Sequence, residues 1–168
     1  PRLYAGTRHG VFSIDQVPDE DADGVPSAIE SGAPSGGDGN GDGIPDTVQA
    51  HVASLLEAGD GVRGGGTYVS IEVEPVLGAC VRLENAHALP ATAFPLDPGQ
   101  SYPFGMVRLD LSSCTQARLH LRYHGGDFDA AWRFRVYAPL TPDQPHTYAW
   151  RDLPFDRAGK TWTITLTD

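Results

Sequence analysis

The residues of this chain with the clearest chemical potential form a run of alternating acids near the N-terminus. Residues 19–30 read DEDADGVPSAIE, with acids at the first, third, fifth and twelfth positions and glycine at the sixth. Ca²⁺ takes about six to eight oxygen ligands, and a twelve-residue loop with this spacing turns several carboxylates and the carbonyl of its seventh residue toward one point. The sequence therefore predicts a calcium site whose ligands are Asp19, Asp21, Asp23, Val25 and Glu30.

The same spacing recurs 19 residues later, from Asp19 to Asp38. Residues 38–49 read DGNGDGIPDTVQ, and both copies continue from their fifth position as Asp-Gly, then Val or Ile, then Pro. A single copy is compatible with a solvated acidic linker, which is the alternative interpretation, but two copies in register favour calcium binding. The ligands predicted for the second loop are Asp38, Asn40, Asp42, Ile44, Asp46 and Gln49.

The two loops differ at their ninth and twelfth positions. Loop one, residues 19–30, has Ser27 and Glu30 there, whereas loop two, residues 38–49, has Asp46 and the neutral Gln49. Both loops have Pro at the eighth position. This is unlike a sensor EF-hand and resembles the loops of thrombospondin type 3 repeats. That resemblance implies a structural, calcium-saturated spacer and not a switch.

The segment after loop two carries a helical pattern. Asp46 and Gln49 have the spacing of a capping box, and Gly59 would end the helix. An apolar stripe at helical spacing consists of Val48, Val52 and Leu55. Because loop two leads directly into this helix, we expect that filling loop two orders more structure than filling loop one.

The C-terminal two thirds of the chain alternate in the strand period. The alternating segments are 69–73, 107–111, 119–123, 132–136, 148–150 and 162–166. Each has one apolar and one polar face, and turns rich in Gly, Pro and Asp separate them, which is the pattern of an antiparallel β-sandwich. The predicted fold is all-β: an antiparallel β-sandwich with an N-terminal calcium-loop segment that contains one short helix.

Three segments are predicted along the chain. Residues 1–15 read as two short strands around Gly6 to Gly10, either the remnant of an upstream propeller-like repeat or an ordinary hairpin. Residues 16–62 form the calcium-loop segment, and residues 63–168 form the β-sandwich. Because the chain begins at Pro1 without an initiator Met or a signal peptide, we interpret it as part of a longer protein.

The charge distribution limits the classes of partner that the chain could bind. The net charge is −10, and residues 9–62 hold eleven Asp and Glu but no Lys or Arg. Binding to nucleic acid depends on a basic surface, so this acidity argues against a nucleic-acid partner and favours a cation. No apolar run approaches the ~20 residues of a membrane span. No spacing typical of a zinc protease, a serine hydrolase or a nucleotide-binding loop is convincing, so we predict a protein that is not an enzyme.

A second candidate surface lies on the polar faces of the predicted strands. Its basic residues are Arg118, Arg122, Arg133 and Arg135. The simpler interpretation is a solvated face that pairs with acids such as Glu72 and Glu74. The alternative is docking of an acidic glycan, a cell-envelope phosphate or the chain's own acidic loops. Trp150 is the surface candidate for a sugar platform, whereas Trp132 and Trp162 are predicted to pack in the core.

Four phrases resemble a bacterial domain family. They are GDGNGDGIPD at 37–46, SYPFG at 101–105, LRYHG at 121–125 and WTITLTD at 162–168. Together they resemble the choice-of-anchor U domain of secreted bacterial surface proteins, over about residues 36–168. The resemblance implies an extracellular, cell-surface location and a structural or anchoring role more than an activity. The alternative is a calcium-dependent carbohydrate-binding or adhesin module.

Cys80 and Cys114 are the two cysteines of the chain. In a secreted protein they would pair, closing a loop of about 35 residues and stabilising the fold by about 3–4 kcal/mol. The alternative is two buried free thiols. We expect thiol titration of the unfolded, unreduced protein to find no free thiol. Finding two would contradict the disulfide.

Overall fold

Antiparallel strands dominate the fold. The computed structural model describes residues 2–7, 10–15, 17–58, 67–78, 82–111, 113–125, 131–139 and 147–167. In chain order, its elements are β1 (Arg2–Thr7), β2 (Gly10–Asp15), α1 (Ser27–Glu30), α2 (Pro34–Gly37), β3 (Val52–Leu56), β4 (Tyr68–Gly78), β5 (Leu83–Leu89), β6 (Met106–Leu111), β7 (Cys114–Tyr123), β8 (Phe134–Pro139), β9 (Tyr148–Leu153), β10 (Phe155–Ala158) and β11 (Thr161–Thr167). Short 3₁₀ turns cover Asp46–Val48 and Ala91–Ala93.

The largest sheet has five strands in the order β10-β11-β7-β4-β3, and every neighbouring pair is antiparallel. The hairpins β5-β6 and β8-β9 supply further apolar residues to the core on one face of this sheet. A buried row that crosses that face consists of Ala53, Ile71, Leu121 and Trp162. Each of the six segments predicted as strands overlaps a strand. The predicted all-β, sandwich-like fold is therefore confirmed.

The helix predicted after loop two is wrong. Residues 46–48 form a 3₁₀ turn, and residues 52–56 form β3, which pairs with β4 from Val52 opposite Glu72 to Leu56 opposite Tyr68. A surface helix buries one stripe, but residues 52–55 are all buried. The reason is that both faces of β3 are covered, by the core on one side and by the acidic loops on the other. The predicted calcium segment 16–62 thus supplies an edge strand to the sheet, and within its described part, residues 17–58, the α-helical elements are the single turns α1 and α2.

Two further predictions concern the N-terminal strands and the cysteines. Residues 2–7 and 10–15 are strands that pair from Arg2 opposite Asp15 to Thr7 opposite Gly10, in a two-stranded sheet of their own. Cys114 begins β7 and is not a free thiol. Cys80 lies outside the described residues, so the bond between Cys80 and Cys114 stays a prediction.

Loop one is attached to the sandwich through β5. The pairing of β5 with β6 shifts register between Glu84 and His87. Within this bulge, the amide of Ala86 donates to the carbonyl of Asp23 at 2.9 Å. Gly24, at φ +102°, lies so close to this backbone that a Cβ would be 2.7 Å from Asn85 Cα and 2.8 Å from the Ala86 nitrogen. The next residue, Val25, is 1% exposed within the hydrophobic core.

Alanine at Gly24 should destabilise the fold more than alanine at Gly43, its counterpart in loop two. Both glycines have positive φ, +102° and +91°, where a Cβ costs about 1–2 kcal/mol. A Cβ at Gly43 meets open space, whereas one at Gly24 meets the backbone of β5, and such overpacking costs about 1–3 kcal/mol more. Urea unfolding of both variants measures the difference. Equal losses would contradict the close docking of loop one on β5.

Candidate metal centre

The two acidic loops fold alike. In each loop, the first-position carboxylate accepts hydrogen bonds from the amides of the fourth and sixth residues, and the fifth-position carboxylate accepts one from the amide of the seventh. In loop one these acceptors are Asp19 and Asp23, and in loop two Asp38 and Asp42. The ninth-position side chain accepts from the amide of the second residue in both loops. The repeated spacing therefore encodes a repeated backbone turn.

Buried carboxylates of both loops lie near one another, since the charge of Asp46 acts on the pKa of Asp23 and of Glu30. Asp23, Glu30 and Asp46 are each 0% exposed. The side chains of Asp19, Asp21 and Asp23 can offer oxygens that lie within 4.8 Å of one another. Within the two loops, five carboxylate oxygens are buried and have no hydrogen-bond donor among the described residues: both of Asp21, Oδ2 of Asp23, Oε2 of Glu30 and Oδ1 of Asp46. We call these five acidic residues, 19, 21, 23, 30 and 46, the acidic cluster.

The electrostatics of the acidic cluster show that it lacks positive charge. Burial, followed by neighbouring carboxylates, raises the pKa of Asp23 to about 7 and that of Glu30 to about 8. The charge of Asp46 contributes to both shifts, and burial also raises the pKa of Asp46 itself. The guanidinium of Arg82 binds the carbonyls of Asp21 and Ala22, at 3.1 and 3.0 Å, and not the carboxylates. Among the described residues, no ion pair joins the cluster to a basic side chain.

The donor set fits a hard divalent cation. Carboxylate oxygens without hydrogen-bond donors are the ligands that such ions take, and an ion would balance charge that the described side chains leave unbalanced. The ninth position of Asp46 assigns it to loop two, and its position near Asp23 and Glu30 also allows it to bind an ion held by loop one. Its Oδ2 accepts hydrogen bonds from the Gly39 amide and the Ser54 hydroxyl, which leaves Oδ1 for the cluster. No signal in the linear spacing indicates this.

Loop two presents a different environment. Asp42 is exposed, and its Oδ1 accepts hydrogen bonds from the Ile44 amide at 2.8 Å and from Gln49 Nε2 at 3.2 Å. These bonds, the one from Ile44 first, lower the pKa of Asp42. Gln49 Nε2 also donates to the carbonyl of Ile44 at 3.0 Å. Asn40 Oδ1 accepts from the Asp42 amide at 3.3 Å. In loop two the protein's own donors thus bind oxygens of Asp42, Asn40 and Ile44, whereas Oδ1 of Asp46 has no donor among the described residues.

A row of hydrogen bonds connects Asp46 to the face of the sheet that bears the loops. Ser54 and Ser70 lie opposite each other on β3 and β4, with their hydroxyls 2.6 Å apart, and Ser70 Oγ is 2.9 Å from His124 Nε2. With Asp46 ionised, Ser54 must donate to Asp46, Ser70 to Ser54, and His124 to Ser70. Burial and the charges of Arg122 and Lys160 lower the pKa of His124, which favours this neutral donor. The sequence did not predict this row, because residues 52–56 carry a helical pattern and the pairing of Ser54 with Ser70 requires a strand there.

The predicted basic surface is largely paired. Arg118 contacts Glu74 at 2.9 Å, as the simpler interpretation of this face expects. Arg122 donates to the carbonyl of Asn40 at 2.6 Å and so binds loop two. Arg135 contacts Asp97 at 2.7 Å and Asp152 at 2.6 Å. Arg133 is exposed.

Trp150, the predicted sugar platform, belongs to a cluster of rings. Its indole stacks on Tyr102 with centroids 5.2 Å apart, and it contacts Tyr137 and Phe94 at their edges or at a tilt. The indole N–H donates to the carbonyl of Pro95 at 3.0 Å. Nearby, a cavity of about 760 Å³ is lined by aromatic side chains such as Trp132 and Phe134 and also by Arg108, Arg133 and Arg135. Trp162 is 4% exposed, as expected of a core residue.

No protein-family model, curated protein or solved structure matches the chain. The resemblance to the choice-of-anchor U domain therefore stays a prediction. Within the described ranges, no helix has the length and apolar character needed to cross a membrane.

The metal-free chain should lose stability as the pH rises from about 4 to about 8. In the fold, the pKa values of Asp23 and Glu30 are raised to about 7 and about 8, against about 4 in an unfolded chain. The folded chain therefore binds more protons than the unfolded chain over this interval, and its free energy of unfolding falls as the pH rises. Urea unfolding of metal-stripped protein at several pH values measures this slope.

The comparison for that slope is Glu30→Gln, which removes one of the titrating groups and should make the profile less steep. Glu57, whose pKa burial also raises to about 7, still contributes to the slope in this variant. A free energy of unfolding that increases between these pH values would contradict the buried position of both carboxyls.

Proposed function

We propose that this chain is a non-enzymatic calcium-binding structural module, in which bound calcium fixes the acidic loops to the edge of a β-sandwich. The observation that carries the proposal is the set of five buried carboxylate oxygens without donors, contributed by Asp21, Asp23, Glu30 and Asp46. Asp19 lies within reach of the same point. The ion would supply positive charge and coordination where the described side chains supply neither.

The ligand chemistry favours calcium over magnesium. Mg²⁺ keeps several of its waters and is usually bound through one or two carboxylates, whereas Ca²⁺ takes about six to eight oxygens in a flexible shell. Three carboxylates whose oxygens lie within 4.8 Å of one another, with the buried Glu30 and Asp46 nearby, suit the larger ion. Extracellular modules bind calcium with dissociation constants of about 10⁻⁴–10⁻³ M. A structural site of this type fits the predicted role as an anchoring part of a secreted or surface protein.

A structural role also agrees with how the ligands are held. The carbonyl of Asp23 accepts a hydrogen bond from β5, and Oε1 of Glu30 accepts one from the Ser54 amide of β3 at 3.4 Å. The same residues that would bind the ion are thus part of the sandwich edge. An ion that joins loop one, the 3₁₀ turn and β3 would stabilise the fold directly, because binding energy at such a site is folding energy.

The contact between Ser70 and His124 does not support catalysis. Its 2.9 Å separation is that of a nucleophile with its base. However, Ser70 is 1% exposed, and Gly39 of loop two covers it so closely that a Cβ there would be 2.0 Å from Ser70 Oγ. A substrate has no access to this hydroxyl unless loop two leaves the sheet. The two residues instead hold loop two in place.

Calcium should raise the melting temperature of the chain. Calcium at about 100 times its dissociation constant adds about 2.7 kcal/mol, or about 5–10 °C for a domain of this size. Asp46→Asn should remove most of this increase, because it keeps an oxygen for Ser54 and Gly39 but removes the charge that faces the cluster. The measurement is calorimetry in saturating calcium and in chelator.

The matched control is Asp42→Asn in exposed loop two, which should keep most of the increase. The helix that made loop two the expected source of stability is absent, so this order reverses the expectation from the sequence. Identical melting curves of the unmodified chain in calcium and in chelator would disprove the proposed function.

A further inference from the structure

The twelfth residue distinguishes two loops that otherwise share one backbone geometry. In loop one this residue is Glu30, which is 0% exposed and has one oxygen without a donor. In loop two it is Gln49, which is 5% exposed and donates through Nε2 to Asp42 Oδ1 at 3.2 Å and to the Ile44 carbonyl at 3.0 Å. A carboxylate thus stands at this position in one loop and an N–H donor in the other.

The two acceptors of Gln49 are the oxygens that a calcium loop directs at its ion. Asp42 holds the fifth position, and Ile44 holds the seventh, whose carbonyl is a ligand in such loops. The amide nitrogen of Gln49 stands in front of both oxygens. Its hydrogens occupy the space that an ion at about 2.3–2.6 Å from the same oxygens would need. The donor and an ion therefore exclude each other.

Three other predicted ligand oxygens of loop two accept hydrogen bonds from amides of the loop. These are both oxygens of Asp38 and Oδ1 of Asn40. Because both oxygens of Asp19 accept the same bonds in loop one, Gln49 is what distinguishes loop two. Within the part of the chain that is described, Asp46 is the residue of loop two with a buried side-chain oxygen that has no donor. That oxygen belongs to the acidic cluster. The buried carboxylate of loop two, Asp46, is thus part of the site formed with loop one.

We propose that the two loops together bind one calcium ion, at the acidic cluster, and that the side-chain amide of Gln49 takes the place of a second ion in loop two. This inference rests on the proposed function. Loop two is then folded without metal, and it delivers Asp46 to the ion held by loop one. Arg122, which donates to the Asn40 carbonyl, secures the loop on the sheet.

The test is the number of calcium ions bound by the full chain, measured by native mass spectrometry and by calorimetric titration with calcium chloride. We expect one ion for the unmodified chain and two for Gln49→Glu, which replaces the donor by a ligand. Gln100→Glu, at an exposed position far along the chain, adds the same charge and should leave the count at one. Two ions on the unmodified chain would overturn the inference and leave the proposed function intact, whereas no ion would overturn both.

Two further variants locate the single ion without depending on Gln49→Glu. Glu30→Gln should weaken calcium binding at least tenfold, and Asp42→Asn should change it less than threefold. The opposite order would place the ion in loop two and overturn the inference. One ion on Gln49→Glu would also overturn it, because the amide would then not be what excludes the second ion.

Discussion

The crowding of acidic side chains at a buried point is the constraint on which the rest of the structure depends. Three carboxylates of the cluster are fully buried and two are partly buried. An ionised carboxylate removed from water costs several kcal/mol unless it is paired, and like charges side by side add to that cost. The cluster lies where loop one, the 3₁₀ turn at Asp46 and β3 meet. Its charge balance therefore governs whether these parts stay together.

Loop one shares residues between the candidate ion site and the hydrophobic core. Asp23 points its side chain into the cluster, while its carbonyl bonds to the bulge of β5. Val25, two residues later, is inserted in the core, and the amide of Val25 donates to Asp23 Oδ1 at 2.6 Å. Such a loop cannot shift without disturbing the sandwich edge. Metal at the cluster and packing in the core would consequently reinforce each other.

Loop two attaches to the same sheet by a different chemistry. It covers the polar hydroxyls of Ser54 and Ser70, and only glycine fits at position 39, since a Cβ there would be 2.4 Å from Ser54 Oγ. With Asp46 ionised, each member of the row donates a hydrogen bond to the next, from His124 to Ser70, Ser54 and Asp46. The last of these bonds fixes the orientation of the Asp46 carboxylate. Each serine hydroxyl of this row both donates and accepts a hydrogen bond, which stabilises the row, whereas Oδ1 of Asp46 has no donor among the described residues. Hydrogen bonds to Gly39 and to the sheet thus hold the carboxylate of Asp46 in place.

The sequence by itself determined what depends on neighbours along the chain. The turns of both acidic loops follow from spacing within twelve residues, and six strands follow from alternation within each strand, because local backbone geometry repeats with a fixed period. Tertiary structure alone decided which residues distant in the sequence contact one another. Asp46 joins Glu30, sixteen positions earlier in the sequence, and residues 52–55 are a strand because core and loops cover both faces. When both faces of a strand are buried, its sequence loses the alternation of apolar and polar residues by which a strand is recognised. Contacts between residues far apart in the sequence produce no periodic pattern, so the sequence does not indicate them.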